Sequence, residues 1–303
     1  MRVKRGVAAA LLAAGLAACA AAPAEKPAGP PPGRIVDTAS GRELSPDALL
    51  ARLGAAEMLL VGEKHDNRQH HQIEVWLARR LAVARPQGSV LLEMLTPSQQ
   101  PKVDEVKAWL QGDPSVRPSR VRELVAWQSG WPWALYGELA MTLLRAPYPL
   151  LAANLDREQM RAYYASRERP QGRASRDPRA SSRLEEVIRG EHGGKMDEGM
   201  MASMLAAQQQ RDRRMAERLL AAPKPAMLIA GAYHALPTMR CAMSAFRCIW
   251  RIWRRAARRR CWRWRRRAWS WAESRRTTSG TPPKPVNELG GMVSISLIDN
   301  DNH

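Results

Sequence analysis

An apolar run ends in a cluster of ionisable side chains at Met58-Leu-Leu-Val-Gly-Glu-Lys-His-Asp-Asn67. A second apolar run has the same plan at Ala226-Met-Leu-Ile-Ala-Gly-Ala-Tyr-His234, where a histidine again follows a glycine by three residues. Short apolar runs that stop at a glycine are typical of buried β-strands. The two runs therefore predict two neighbouring strands that end at one site.

Further strands alternate with helices along the chain. The segment from Gln69 to Ala84 has apolar residues at helical spacing, while Ser89-Val-Leu-Leu-Glu-Met-Leu95 and Pro149-Leu-Leu-Ala-Ala153 are two more apolar runs. This alternation indicates an α/β fold with a parallel sheet flanked by helices. Ligands in such sheets bind beyond the carboxyl ends of the strands.

Glu93 interrupts the third apolar run. An acid in an apolar strand is costly unless it has a partner, so Glu93 is a candidate site residue. The alternative interpretation is a carboxylate that meets water at the end of the strand. His70 and His71 lie at the start of the helix that follows the first apolar run. They are interpreted as surface or supporting residues.

The formal net charge of +19 would normally indicate a nucleic acid or an anionic membrane as partner. The charge is concentrated, because the segment from Arg240 to Arg276 has 14 Arg and a single acid, Glu273, and so contributes +13. The rest of the chain is nearly balanced. Nucleic acid is therefore excluded as the expected partner.

The first residues resemble a bacterial lipoprotein signal. Basic residues precede a short Ala/Leu-rich run and then Leu16-Ala-Ala-Cys19. The apolar run is too short to span a bilayer, whereas acyl chains on Cys19 would hold the protein on a membrane. Ala20 after the cysteine favours the outer membrane of a Gram-negative bacterium, with the protein facing the periplasm.

Residues 20–33 are rich in proline and alanine and predict an extended tether, so the folded body should begin at Arg34. At its other end the body should stop near Met239. The tail beyond it, residues 240–303, is Arg/Trp-rich, and 6 of the 11 Trp lie between Arg240 and Arg276 without the period of a buried element.

A lost reading frame would explain this tail. A shift of one nucleotide lets the codons for Ala242 to Trp253 encode Asp-Val-Gly-Val-Pro-Leu-His-Leu-Ala-Asp-Leu, and those for Arg276 to Pro282 encode Asp-Tyr-Val-Trp-Tyr-Thr. Both strings read as ordinary globular sequence. We therefore hypothesise a frameshift near Met239 and a poorly ordered tail. The alternative is a cationic segment that binds anionic lipid or nucleic acid.

Six motifs occur in order between Arg34 and Met239. They are Leu60 to Asn67 with His70 and His71, Leu91 to Leu95, Trp127 to Gly137, Ala153 to Arg157, Gln208 to Ala216, and Ala230 to His234. Together they resemble the ChaN family of haem-binding, iron-regulated lipoproteins, within a wider group of erythromycin-esterase-like and Tiki-type metalloproteins.

The resemblance implies a parallel α/β fold with a smaller helical subdomain, lipid anchoring and a role in haem uptake. It also implies haem sites shared between subunits of a homodimer, and haem receptor or transporter components as partners. The family's last strand and its Gly-Val-Pro-Leu-His segment are expected to be missing from this chain.

Two functions follow from the resemblance. Haem needs an apolar slot, an axial ligand and polar groups for its propionates. The candidate cofactor-binding residues are His65, Glu93, Tyr136, Arg157, Tyr233 and His234, of which His65, His234, Tyr136 and Tyr233 are candidate axial ligands and Arg157 would face a propionate.

The alternative function is a metal-dependent hydrolase. His65, Glu93 and His234 would hold a divalent metal ion, and Glu63 would act as the general base that activates a bound water.

Overall fold

One mixed sheet organises the computed structural model, which describes residues 33–113, 115–172, 175, 177–235, 260–265 and 292–297. Cys19, residues 20–32 of the expected tether and most of the tail lie outside the described residues.

The described elements fall into strands and helices as follows. The strands are β1 (Arg34–Asp37), β2 (Glu43–Leu44), β3 (Met58–Glu63), β4 (Ser89–Leu92), β5 (Leu150–Ala152), β6 (Ala226–Gly231), β7 (Arg260–Arg265) and β8 (Met292–Leu297). The helices are α1 (Pro46–Gly54), α2 (Arg68–Ala84), α3 (Gln100–Gly112), α4 (Pro118–Leu124), α5 (Trp133–Arg145), α6 (Arg157–Ser166), α7 (Pro178–Glu191), α8 (Glu198–Ala221) and α9 (Ala232–Ala235), with a 3-10 turn at Pro97–Gln99.

The strand order is β2-β1-β7-β8-β3-β6-β4-β5. Every neighbouring pair from β7 to β5 is parallel, whereas β1 is antiparallel to both β2 and β7. The expected parallel α/β fold is thus confirmed. The two glycine-containing strands are direct neighbours in register, with Gly62 opposite Ala230 and Glu63 opposite Gly231.

Helices cover both faces of the sheet. Leu59 and Val61 belong to a large core with residues of α1, α2, α3 and α5. Leu60, between them, faces the other way and packs in a second core with Met215 and Leu219 of α8. Strands buried on both faces are apolar throughout instead of alternating, which is why β3 and β6 appear in the sequence as continuous apolar runs.

An N-cap residue sets the start of α2, the helix that follows β3 and its site loop. The Asn67 side chain accepts hydrogen bonds from the backbone N–H groups of Gln69 and His70, as an N-cap does. The expected helix from Gln69 to Ala84 is α2, which begins one residue earlier. A smaller helical part is also present, since α7 and α8 enclose an apolar cluster of their own, with Leu184, Ile188, Met201 and Leu205 among its residues.

One expectation differs from the structure. The strand expected from Ser89 to Leu95 stops at Leu92, so Glu93 lies in the turn after it. Most of the tail lies outside the described residues, so its expected poor order and the expected loss of the family's last strand stay predictions. The two described segments of the tail, Arg260–Arg265 and Met292–Leu297, are β7 and β8, and β8 pairs directly with β3. Among the described helices, none has the length and apolar character needed to cross a membrane.

Candidate functional site

The carboxyl ends of β3, β4 and β6 meet at one edge of the sheet. Gly231, the last residue of β6, donates its backbone N–H to Glu93 Oε2 at 2.8 Å. A Cβ atom on Gly231 would lie 2.9 Å from both Cε1 and Nε2 of His65. The absence of a side chain at Gly231 therefore allows His65 and Glu93 to approach the same point from different strands.

Glu63 organises the first half of the site. Its Oε1 lies 2.5 Å from His65 Nδ1 and accepts a hydrogen bond of 2.9 Å from the Tyr136 hydroxyl. Glu63 is buried, whereas 46% of the His65 side chain is exposed, with the Trp131 ring packed at its edge. Burial, and next the charge of Glu63, raises the pKa of Tyr136, so this phenol stays protonated and acts as a donor.

His71 and Glu74 of α2 extend this half into the interior. His71 Nδ1 lies 3.1 Å from Glu74 Oε2, and His71 Nε2 lies 3.1 Å from the His65 carbonyl oxygen. Burial, together with the charge of Glu63, raises the pKa of Glu74 to about 7. Burial alone would lower the pKa of His71, but Glu74 and then Glu63 outweigh it and raise that pKa. Both shifts favour a bound proton at this pair.

The second half of the site surrounds Glu93. The Arg211 guanidinium forms an ion pair with Glu93 Oε1, and His234 Nε2 lies 3.4 Å from the same oxygen. The Asp212 carboxylate contacts His234 Nδ1, and Asn154 donates its side-chain amide to the Glu93 carbonyl oxygen at 2.9 Å. Burial, which outweighs Asp212, lowers the pKa of His234, so its imidazole is neutral near pH 7.

Most of the sequence-derived candidates meet at this edge. His65, Glu93, Tyr136 and His234 are joined to Glu63 or to each other by the contacts above. Tyr233 is 41% exposed and donates its hydroxyl to Glu191 at 3.2 Å.

Arg157 is exposed at the start of α6 and makes no contact with these groups among those recorded for the described residues. Its expected contact with a propionate therefore stays a prediction.

Two histidines support the site, and two further residues were missed. His70 and His71 were expected at the surface or in a supporting position, and the structure has the second: both are buried with 3% exposure, and His71 contacts the His65 carbonyl oxygen. Arg211 and Asp212 were not recognised as site residues. Apart from their motif on α8, the local sequence gives no signal for them, because each forms an ion pair with a residue distant in sequence.

The metal-ligand set also differs in its geometry from the expected one. Within the described part of the chain, the residues whose ligand atoms converge are Glu63, His71 and Glu74, all lying within 4.8 Å of one another. In the expected set of His65, Glu93 and His234, the Glu93 carboxylate is already paired with Arg211.

Comparison with known proteins identifies the family of the chain and a similar fold. Residues 49–238 match the family described as haem-binding uptake, Tiki superfamily, ChaN. The structure is similar to one titled "Cofacial heme binding to ChaN of Campylobacter jejuni", with a TM-score of 0.64 and 23% sequence identity over 71% of this chain and 86% of that chain. No curated protein matches the chain significantly. Because the family match spans more than half of the sequence, the chain belongs to the ChaN family of haem-binding uptake proteins in the Tiki superfamily.

Proposed function

We propose that the protein binds haem at the carboxyl edge of the sheet and serves in haem uptake as a lipoprotein of the outer membrane. The observation that carries the proposal is the exposed imidazole of His65, which Glu63 holds by Nδ1. Metal-binding histidines commonly donate their second ring nitrogen to a carboxylate, which fixes the tautomer and makes the free nitrogen a better ligand. His65 Nε2 would then be the nitrogen available to bind the iron.

The other candidate ligands are less suited to iron. Tyr136 and His234 are buried, with exposures of 1% and 5%, and each is engaged by a neighbouring carboxylate. Tyr233 is exposed, but burial of its ring edge and then the charge of Glu191 raise its pKa. An iron-bound phenolate would face that carboxylate, so His65 is favoured over Tyr233 as the axial ligand.

The neighbouring residues suit a haem group. Trp131 and Trp127 lie beside His65 and Tyr136 and offer aromatic surface to a porphyrin. Bound haem would supply an iron centre with an open coordination position, while this chain supplies the ligand and the apolar contact. In the proposal, Arg157 binds a propionate, and Glu93 and His234 support the site from the turn after β4 and from α9.

The cellular context of the proposal rests on the first residues and on the relatives. Acylation at Cys19 would anchor the protein to the outer membrane, facing the periplasm. The cofacial haem binding named for the C. jejuni protein supports a homodimer that brings two haem groups together. Haem receptor or transporter components are the proposed partners in uptake.

A haem titration tests the proposal. We expect haemin to give a saturable Soret shift with the parent protein, and His65→Ala to weaken binding by roughly tenfold or more. Tyr233→Phe is the matched control, because it removes an exposed ligand-type group nearby, and it should bind as the parent does. Loss of binding in Tyr233→Phe alone would assign the iron to the phenol, and the absence of a saturable shift in the parent would contradict haem binding itself.

The alternative, a metal-dependent hydrolase with His65, Glu93 and His234 around an ion, has weaker support. A metal ion at Glu93 would have to displace a guanidinium that is already paired with it. Glu63, the expected general base, has its Oε1 engaged by Tyr136 and His65.

A further inference from the structure

The hydrogen bonds of His71 leave two acceptor atoms facing each other in the protein interior. Its Nε2 lies 3.1 Å from the carbonyl oxygen of His65, and since a carbonyl oxygen only accepts, Nε2 carries the hydrogen. Nδ1 then directs its lone pair at Glu74 Oε2, 3.1 Å away. Two acceptors can face each other at this distance only with a positive charge between them, either a proton or a metal ion.

Two carboxylate oxygens beside this contact also lack a donor. Glu63 Oε2 and Glu74 Oε1 are buried and have no hydrogen-bond partner among the described residues. The two side chains are 1% and 0% exposed, so bulk water does not reach them. A buried carboxylate oxygen that has lost its water and has no donor is strongly unfavourable. A shared proton satisfies the contact between His71 and Glu74 and leaves both oxygens unsatisfied.

A single cation would satisfy all of these groups together. Ligand atoms of Glu63, His71 and Glu74 lie within 4.8 Å of one another. We propose that these three residues bind a divalent transition-metal ion, in a site separate from the haem site. Two carboxylates and one imidazole suit Mn²⁺, Fe²⁺ or Zn²⁺ better than Mg²⁺, which prefers oxygen ligands only.

The site shares one residue with the haem edge but uses another atom of it. Glu63 Oε1 accepts from Tyr136 and holds His65, whereas its Oε2 has no donor and would be the oxygen that binds the metal. The ion would therefore fix the end of β3 to α2 and steady the carboxylate that orients His65. It would occupy none of the groups proposed to contact haem.

Mn²⁺ binding to the haem-free full chain tests the inference. The protein is first dialysed against a chelator, and the loss of the free Mn²⁺ signal is followed by electron paramagnetic resonance. Mn²⁺ is chosen because the thiols of Cys241, Cys248 and Cys261 compete for Zn²⁺ or Co²⁺ but are poor ligands for Mn²⁺. We expect saturable binding of one ion per chain and a higher unfolding temperature with Mn²⁺ than with the chelator.

Isosteric variants separate the site from a general effect on folding. Glu74→Gln and His71→Gln should each weaken Mn²⁺ binding by roughly tenfold or more. Glu74→Gln should nevertheless unfold in the chelator at no lower temperature than the parent, because it removes a buried charge. His70→Gln is the matched control: it replaces the adjacent buried histidine, whose Nδ1 accepts from the Lys64 backbone N–H, and should keep parental affinity.

Two results would overturn the inference: no saturable binding by the parent, or equal binding by the parent, Glu74→Gln and His71→Gln. Haem binding is measured separately without Mn²⁺, so failure of one proposal does not decide the other.

Discussion

Glu74 and His71 link the stability of the protein to pH through the proton they share. The unfolded carboxyl has a pKa of 4.5, and burial raises the pKa of Glu74 to about 7 in the folded protein. A raised carboxyl pKa contributes stability that is fully present below pH 4.5 and is lost as the pH rises through about 7. The raised pKa of His71 acts in the same direction.

We therefore expect the parent, without metal, to lose unfolding free energy relative to Glu74→Gln as the pH rises from 4.5 to 7. The slope should not exceed about 1.4 kcal/mol per pH unit for one shared proton. Urea unfolding of both proteins in a chelator, at several pH values across this range, measures the difference. Parallel pH profiles for the two proteins would show that Glu74 does not retain the proton.

At the scale of single residues, the sequence identified the groups at strand ends better than their partners. Glu63, His65, Glu93 and His234 follow apolar runs, and that position is a local signal. The partner of Glu93 is Arg211, which is separated from it by 118 residues, and no local pattern predicts such a pair. For the same reason the sequence left open whether His71 lies at the surface or supports the site, because Tyr136, which covers it, comes from another element.

A buried ion pair links the longest described helix to the carboxyl edge of the sheet. Arg211 of α8 pairs with Glu93, which has no exposed surface, and also donates to Asn154 Oδ1 at 3.3 Å. The guanidinium thereby joins α8 to the segments that follow β4 and β5. Burial lowers the pKa of Arg211, but its guanidinium remains charged at any ordinary pH.

Removing the Arg211 guanidinium while Glu93 remains should destabilise the folded protein. We expect Arg211→Met to lower the unfolding free energy by about 3–5 kcal/mol, because it leaves the Glu93 carboxylate buried and unpaired. Adding Glu93→Gln to it should recover part of this loss. Arg213→Met is the matched control on the same helix, because its ion pair with Glu217 is exposed and should cost about 0.5 kcal/mol or less. Equal unfolding midpoints in urea for the two single variants would contradict the role given to Arg211.

Among the helices and strands, hydrophobic periodicity was sufficient to predict an element that is long or strongly apolar. It predicted α2, β3 and β6, because burial on one helical face or on both sheet faces leaves a clear pattern. The end of β4 was placed too late, since Met94 and Leu95 are buried although they lie in a turn. The strand β8 was missed because it follows a segment of unusual composition and was assigned to the tail with it.

The centre of the sheet includes β8, a strand from the Arg/Trp-rich tail, whose composition differs most from the rest of the chain. The family match covers residues 49–238 and so includes β3 through β6 but not β7 or β8. Even so, β8 pairs with the edge of β3 opposite β6, and β8 lies between β3 and β7 in the sheet. The hypothesis of a lost reading frame stays a prediction, and the nucleotide sequence across the codon for Met239 tests it.

Deleting β8 should expose the edge of β3, the strand that ends in Glu63. Ile295 and Leu297 are each 2% exposed and belong to the large core, so their loss opens that core to water. We expect a chain that ends at residue 291 to unfold at a lower temperature than one that ends after Leu297, and to be cleaved faster by a protease under native conditions. The two chains differ only in β8, which makes the longer one the control for the shorter. If both unfolded at the same temperature, β8 would contribute nothing to the core, and the sheet would have to be complete with β3 at its edge.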